Sequence, residues 1–222
     1  MSRNIGRGTI FLSFSIVMLS TSDNIIMPYF NLVFLWATFY GLHSLLANLD
    51  FKHWLSDKIG HAYKAYRLVY SLFSTVFFLF IMIYGAGIEK QYLLKSTDFT
   101  TYLGYMFAGF GTIILVKAFR NFSIATFSGL RLHNDLEEEF ELIKSGIHAY
   151  VRHPIYSGLL LIFLGFFFFD PVISSLIHLG CLVAYLPVGI FFEEKKLIRL
   201  YGKRYTEYKK EVPALFPTKF RV

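Results

Sequence analysis

The stretch that decides the fold runs from Val151 to Pro171 and reads "VRHPIYSGLLLIFLGFFFFDP". It opens with an arginine and a histidine, continues as an apolar run and ends at Asp170-Pro171. A second apolar run follows at once and ends at the charged "FFEEKK", residues 191–196. Because two residues alone join the two runs, the sequence predicts a tight antiparallel helical hairpin whose open ends meet.

Both arms of this hairpin are long enough to approach the two faces of a bilayer. At 1.5 Å per residue, 154–169 extends about 24 Å and 171–192 about 33 Å, against roughly 30 Å of hydrocarbon. The shorter arm places Arg152 slightly below the membrane surface, opposite Glu193. Charges at that depth are rare without a function, so we expect a recessed polar cleft. A purely structural Arg–Glu pair is the alternative.

The composition of the whole chain indicates an integral membrane protein. Of its 222 residues, 55% are hydrophobic and only 17% charged, and the mean hydropathy is +0.50; a soluble domain of this size is less apolar. Spanning segments in lipid must satisfy their own backbone hydrogen bonds, so we expect helices. The fold class predicted is an all-α polytopic bundle of five, with a possible sixth, transmembrane helices. The five runs are 28–49, 67–87, 100–119, 154–169 and 171–192.

The basic residues set the expected orientation. The first loop, the third loop and the C-terminal tail hold 18 of the 22 lysine and arginine residues, and loops rich in lysine and arginine stay in the cytoplasm. We therefore expect a multi-pass protein whose active site faces the cytoplasm. The net charge is +7, and the basic residues flank the apolar runs. This placement favours membrane lipids over nucleic acid as the partner. Nothing indicates an obligate protein partner.

The N-terminal residues 1–27 leave alternatives open. Their apolar centre follows Arg3 and Arg7, as in a signal peptide, but Asp23 interrupts it. They are a sixth helix, an interfacial helix, a cleaved segment or a dispensable extension, and 28–222 forms a single domain. The only cysteine is Cys181, so neither a disulfide framework nor a cysteine metal site is predicted, and no metal is expected.

An amphipathic helix is predicted after the hairpin. Leu197, Tyr201, Tyr205 and Tyr208 share one helical stripe, and lysines and arginines fill the other face. Such a helix lies in the membrane interface. It serves as a surface anchor or covers the cleft, and "VPALFP" ends it.

Two motifs carry a resemblance to a known family. "RHPIYSG" at 152–158, followed after the hairpin by "EEKKLIRLYGKRYTEYKKEVPALFP" at 193–217, resembles the isoprenylcysteine carboxyl methyltransferase superfamily over residues 130–217. "GLHSLLA", containing His43 and Ser44, and "GLR" at 129–131 are similar to its bacterial branch, which includes methanethiol S-methyltransferases.

The resemblance implies an S-adenosylmethionine-dependent membrane methyltransferase with its cofactor at the cytoplasmic face. No glycine-rich dinucleotide motif is present, so a Rossmann-type site is not expected. The positions that match the family's cofactor contacts are Glu141, Leu142, Ile143, His148, His153, Pro154, Ile155, Tyr156 and Glu193; His148 stands where a tyrosine is common.

The chemistry of the cofactor assigns further roles. Arg152 is expected to hold the methionyl carboxylate as a bidentate fork, and Glu193 or Glu194 to pair with the ammonium. Aromatic rings favour the sulfonium and adenine. A base, if the acceptor needs one, is His153 or a glutamate. Arg152, His153 and Glu194 are therefore the catalytic candidates.

The acceptor is expected to be small or lipophilic, and a thiol is favoured. The prenylcysteine branch carries a substrate-contacting arginine four residues before the first glutamate, where this chain has Gly189, so a carboxylate acceptor ranks lower. An isoprenylcysteine carboxylate and a lipid headgroup remain alternatives. An NADPH-dependent sterol-type reductase, which shares an RHPxY element, and a non-catalytic membrane protein are alternatives of other classes.

Overall fold

A computed structural model describes residues 7–120, 128–132, 136 and 141–218, with side chains from Ile25 onward. These residues form a helical bundle, and the predicted all-α polytopic fold is confirmed. In the described ranges the only strand-like feature is an isolated bridge between Tyr92 and Val172. The α-helices are α1 (Arg7–Ala47), α2 (Leu49–Ile59), α3 (Tyr66–Ala86), α4 (Asp98–Phe119), α5 (Pro154–Phe169), α6 (Ile173–Tyr201) and α7 (Lys203–Glu211), with 3₁₀ turns at Gly60–Ala65 and Gly146–Ala149.

Each of the five predicted runs corresponds to one helix of the bundle. Within the described part of the chain, four helical stretches are long and apolar enough to span: Ile25–Ala47, Leu49–Ala86, Asp98–Phe119 and Ile173–Tyr201. The fifth, α5, is apolar but has only 16 residues. The backbone of α1 is helical from Arg7 onward and enters the first span without a break.

Four glycines bring α4 and α5 into backbone contact. An ideal Cβ on Gly165 would lie 2.6 Å from the Ala108 nitrogen, and one on Gly111 would lie 2.6 Å from the Gly158 oxygen. Gly104 would meet the Phe169 nitrogen at 2.7 Å. Lipid provides no hydrophobic drive between helices, so close van der Waals packing across small residues holds this pair together.

A buried hydrogen bond joins α1 to α6 in the core. Trp36 Nε1 donates to His178 Nδ1 at 2.9 Å, and both side chains are fully buried. The His178 ring packs against Gly85 of α3, where a Cβ would lie 2.3 Å from His178 Nε2. Three spanning helices therefore meet at this point.

The loop between α3 and α4 covers the hairpin turn. The Leu93 amide donates to the Pro171 carbonyl at 2.8 Å, and the Ile173 amide donates to the Gln91 carbonyl at 3.0 Å. Lys90 pairs with Asp170 at 2.6 Å. Since this turn lies at one end of the bundle, the open ends of the hairpin lie at the other.

The helix predicted after the hairpin differs from the expectation in one respect. It is divided at Gly202, whose φ of +55° ends α6 and starts α7. Tyr205 and Tyr208 are buried and pack with Val212, Leu142 and the rest of the predicted stripe. The stripe therefore packs against protein, and α7 covers the open end of the hairpin.

Candidate functional site

The two halves of the hairpin motif meet as predicted, but the pairing differs in detail. Arg152 donates to Glu194 Oε1 from Nε at 3.0 Å and from Nη2 at 2.6 Å. The two side chains are 9% and 7% exposed. The partner of Arg152 is thus Glu194, and not Glu193, which follows from the 100° turn between successive helical residues.

The remaining donors of Arg152 hold the C-terminal segment. Nη1 donates to the Lys209 carbonyl at 3.0 Å and to the Val212 carbonyl. Four of the five guanidinium N–H groups therefore bond to protein atoms. Arg152 thus ties α7 and the following residues to the hairpin, and its binding of a cofactor carboxylate stays a prediction.

Glu194 is the centre of this buried network. Besides Arg152, it accepts a bond from Lys209 Nζ at 2.5 Å and lies 3.3 Å from His153 Nε2. A buried carboxylate is tolerated when its lone pairs are satisfied in this way. Its contacts make Glu194 a residue that positions Arg152 and His153.

His153 connects the buried network to an open corner. Its side chain is 2% exposed, and Nδ1 lies 3.3 Å from Glu193 Oε2. The Glu193 side chain is 43% exposed, so its carboxylate has acceptor positions for a ligand. The Tyr156 ring lies 5.8 Å from the His153 ring, and its hydroxyl interacts with Glu193. We name Glu193, His153 and Tyr156 the open corner.

The C-terminal residues are built into this site. The amides of Arg152 and His153 donate to the carbonyls of Pro213 and Ala214, at 2.9 and 3.0 Å. Ser157 Oγ donates to the Leu215 carbonyl at 2.7 Å. The "VPALFP" segment therefore lies along the start of α5, which explains why the two motifs occur together.

The other predicted cofactor positions differ in their environments. Glu141 is exposed, Leu142 packs on the tyrosines of α7, and Ile143 and Ile155 are half-buried, whereas Pro154 is fully buried at the first turn of α5.

His148 lies beside the open corner. Its carbonyl accepts a bond from the Tyr208 hydroxyl at 2.6 Å. Burial lowers the pKa of His148, the nearby His153 lowers it further, and Glu193 opposes them by raising it. Burial also raises the pKa of Tyr208 to about 12, so its hydroxyl remains a donor. Segment 141–148 is thus brought to the same face as the corner.

A polar cluster beneath the corner joins His43 and Ser44 of the "GLHSLLA" motif to Tyr70 and Tyr185, which the motifs did not identify. Tyr70 contacts His43 at 2.9 Å, and Tyr185 contacts Ser44 at 2.9 Å. The Tyr185 ring also stacks on Tyr40, with centroids 4.0 Å apart. The sequence signal was present, since these polar side chains interrupt spanning helices near one end of the bundle.

Comparisons with known proteins identify the family of this chain. A family model described as "NnrU protein" matches residues 31–218. The chain is 27% identical to a methanethiol S-methyltransferase of Crocosphaera subtropica over 187 residues, which cover 79% of this chain and 69% of that protein. A methanethiol S-methyltransferase of Pseudomonas deceptionensis is 26% identical, with coverages of 79% and 68%.

A more distant group of relatives matches a shorter region. The human protein-S-isoprenylcysteine O-methyltransferase is 30% identical over 131 residues, which cover 56% of this chain and 43% of that protein. No solved structure gives a significant match. The family resemblance predicted from the two motifs is confirmed.

Proposed function

Because the chain belongs to the NnrU family, with relatives named as methyltransferases, we propose that it is a membrane methyltransferase that uses S-adenosylmethionine and methylates a thiol. The observation that carries the proposal is the open corner, where a half-exposed Glu193 carboxylate, a buried His153 and Tyr156 converge. The corner lies at the end of the hairpin that the charge distribution assigns to the cytoplasm.

The residues of the corner fit the cationic parts of this cofactor. S-Adenosylmethionine supplies a methyl group on a positively charged sulfur, beside an ammonium group. Glu193 offers carboxylate oxygens to the ammonium, and the faces of Tyr156 and His148 suit a sulfonium or an adenine ring. Arg152 acts through Glu194 and the C-terminal segment, whose positions its guanidinium holds.

The contribution of the chain to the reaction is alignment. Methyl displacement requires nucleophile, methyl carbon and leaving sulfur in one line, and most of the rate gain comes from holding that geometry. Glu194 and Arg152 fix His153 from one side, and the carbonyl of Ala214 fixes its backbone. Glu193 and Tyr156 then occupy defined positions at the entrance.

A neutral or thiol acceptor fits the surroundings of the corner better than a carboxylate. A Cβ on Gly189 would lie 2.9 Å from the Tyr185 ring and 3.3 Å from the Tyr156 hydroxyl. Two phenols therefore fill the place where the prenylcysteine branch carries an arginine. A carboxylate there would meet no cation from this position.

Calorimetry on protein in lipid nanodiscs tests the proposed class. S-Adenosylhomocysteine and NADPH are titrated separately into the same preparation. We expect saturable heat with S-adenosylhomocysteine and none with NADPH. Binding of NADPH alone would assign the reductase class, and binding of neither would contradict catalysis with either cofactor.

A further inference from the structure

The polar cluster beneath the open corner has features that packing does not explain. His43, Ser44, Tyr70 and Tyr185 all lie within membrane-spanning helices. We name these four residues the inner cluster. Polar groups at membrane depth need partners, and an ionisable one such as His43 is a candidate functional residue. Here three different helices, α1, α3 and α6, each contribute to one cluster.

The inner cluster lies at the same end of the bundle as the corner. His43 is one turn from the end of α1 at Ala47, and Tyr70 is one turn from the start of α3 at Tyr66. Tyr185 precedes Glu193 by eight residues, about 12 Å along α6.

Geometry connects the two groups. An ideal Cβ on Gly189 would lie 2.9 Å from the Tyr185 ring and 3.3 Å from the Tyr156 hydroxyl. Tyr185 of the inner cluster and Tyr156 of the corner are therefore neighbours. A ligand at the corner therefore has the inner cluster as its polar neighbour toward the membrane interior.

The contacts of His43 leave capacity for a ligand. The Tyr70 hydroxyl lies 2.9 Å from Nδ1 and 3.1 Å from Nε2. A hydroxyl has one proton, so it donates to one ring nitrogen only. Ser74 lies 3.5 Å from Nδ1, at the limit for a hydrogen bond. Neutral imidazole held by a phenol is a suitable proton acceptor near neutral pH.

We infer that the inner cluster binds the acceptor thiol and that His43 accepts its proton; this rests on the proposed function. The S–H bond breaks and the proton passes to the His43 imidazole. The thiolate forms a new bond to the methyl carbon, and the bond from that carbon to the donor sulfur breaks with its electron pair remaining on the donor. The imidazolium then returns its proton to cytoplasmic water. Ser44 and Tyr185 orient the acceptor beside His43.

The choice of thiol separates proton transfer from binding. An alkyl thiol is mostly protonated at neutral pH, whereas an aryl thiol is already ionised. In His43→Asn, we expect the rate with an alkanethiol to fall about 100-fold or more, in line with loss of a general base. The rate with an aryl thiol should change less than about threefold. His53→Asn, an exposed histidine of α2, is the matched control.

A second measurement does not depend on turnover. An alkanethiol is mixed with the protein and S-adenosylhomocysteine, and the ultraviolet band of thiolate is recorded. Wild type should form thiolate at neutral pH and His43→Asn should not, while both bind S-adenosylhomocysteine equally. The pH profile with alkanethiol should lose its histidine-dependent limb in the variant. Tyr70 of α3 is the titratable group in direct contact with His43. Tyr66 of α3 stacks on Tyr70, and Tyr185 of α6 contacts the neighbouring Ser44 and stacks on Tyr40 of α1.

The outcomes are distinct. Equal losses with both thiols, in a variant that is folded and binds S-adenosylhomocysteine, would assign His43 a structural role and overturn the inference. Unchanged rates with both would also overturn it. If His43→Asn does not fold, His43→Gln and Tyr70→Phe provide the same comparison. Wild type that binds S-adenosylhomocysteine but methylates neither thiol would refute the thiol acceptor, and this inference with it, while leaving the cofactor site intact.

Discussion

Two neighbouring glutamates have different environments because α6 turns by about 100° per residue. Glu194 faces the bundle and is satisfied by Arg152, Lys209 and His153. Glu193 faces the entrance and keeps 43% of its side chain exposed. The buried glutamate therefore shapes the site, and the exposed one is available to a ligand.

Replacing Glu193 tests its assignment to the cofactor. Glu193→Gln is nearly isosteric and removes the charge. A charge-assisted hydrogen bond contributes about 1.5–3 kcal/mol, so the affinity for S-adenosylhomocysteine should fall roughly 10- to 150-fold. Calorimetry gives the affinity, and a melting curve on the same sample should match wild type. Normal affinity in the variant would show that Glu193 does not bind the cofactor.

Replacing Arg152 or Glu194 should act first on stability. Removing one partner of a buried pair leaves an uncompensated charge, which costs about 3–5 kcal/mol. Arg152→Lys cannot reach Glu194, Lys209 and Val212 together, and Glu194→Gln leaves Arg152 without its counter-charge. We expect a lowered melting temperature in both variants.

The exposed ion pair between Asp50 and Arg199 provides the control for this comparison. Its side chains are 76% and 59% exposed, and exposed pairs contribute little. Arg199→Gln should therefore leave the melting temperature nearly unchanged. Equal effects of Arg199→Gln and Glu194→Gln would contradict the proposed role of the buried network.

At the residue scale, the sequence predicted which residues meet but not how they share contacts. Arg152 was expected opposite Glu193, whereas its guanidinium bonds to Glu194 and to carbonyls of the C-terminal segment. Those carbonyls belong to the backbone of residues 209 and 212, and the side chains at these positions do not indicate that their carbonyls accept hydrogen bonds. Only the packing of α7 reveals that they lie within reach.

At the scale of the elements, the pair formed by α4 and α5 supports the site. Arg152 and His153 directly precede the short α5, and the glycines of α5 set its distance from α4. Because Gly104 and Gly111, like Gly158 and Gly165, are seven residues apart, the two helices remain in contact over several turns. Any change in that distance would displace the RHP segment.

A methyl group added at this contact should destabilise the bundle. Gly165→Ala places a Cβ 2.6 Å from the Ala108 nitrogen, and overpacking of this kind costs about 1–3 kcal/mol. Gly109→Ala on the outer face of α4 is the matched control, because its Cβ would meet nothing within 4 Å. Thermal unfolding in one detergent should separate the two variants. A Gly165→Ala protein as stable as Gly109→Ala would refute the close contact.

Hydrophobic runs predicted the helices well, and the exceptions have local causes. The ends of the five runs agree with the structure to within two residues, with two exceptions: α1 begins at Arg7, 21 residues before 28, and α6 continues nine residues past 192 to Tyr201. A helix can leave the membrane without a break when its next residues are charged, so hydropathy cannot locate that end. The division at Gly202 was missed because the apolar spacing is helical on both sides of it. The positive φ that separates the two helices leaves no trace in that spacing.

At the scale of the whole molecule, the orientation in the membrane remains a prediction. The fold places the loop before α5 and the C-terminal helix at one end of the bundle and the loop 88–97 at the other. The basic residues are concentrated at the first end. The positive-inside rule therefore assigns the open corner to the cytoplasm.

Cysteine labelling tests this orientation. In a Cys181→Ala background, single cysteines replace the exposed Lys144, Lys210 or Lys95. An impermeant maleimide added to intact cells should label Lys95→Cys alone, and permeabilised cells should label all three. Labelling of Lys144→Cys from outside would show that the protein has the opposite orientation.

Transfer of a labelled methyl group tests most directly whether the open corner is the active site of a thiol methyltransferase. Purified protein in nanodiscs is incubated with methyl-labelled S-adenosylmethionine and a short alkanethiol, with the matching alcohol as the control. We expect a labelled methyl thioether from the thiol, no product from the alcohol, and a strongly reduced product yield in Glu193→Gln. Absence of a labelled thioether from protein that is folded and saturated with the methyl donor would contradict this assignment.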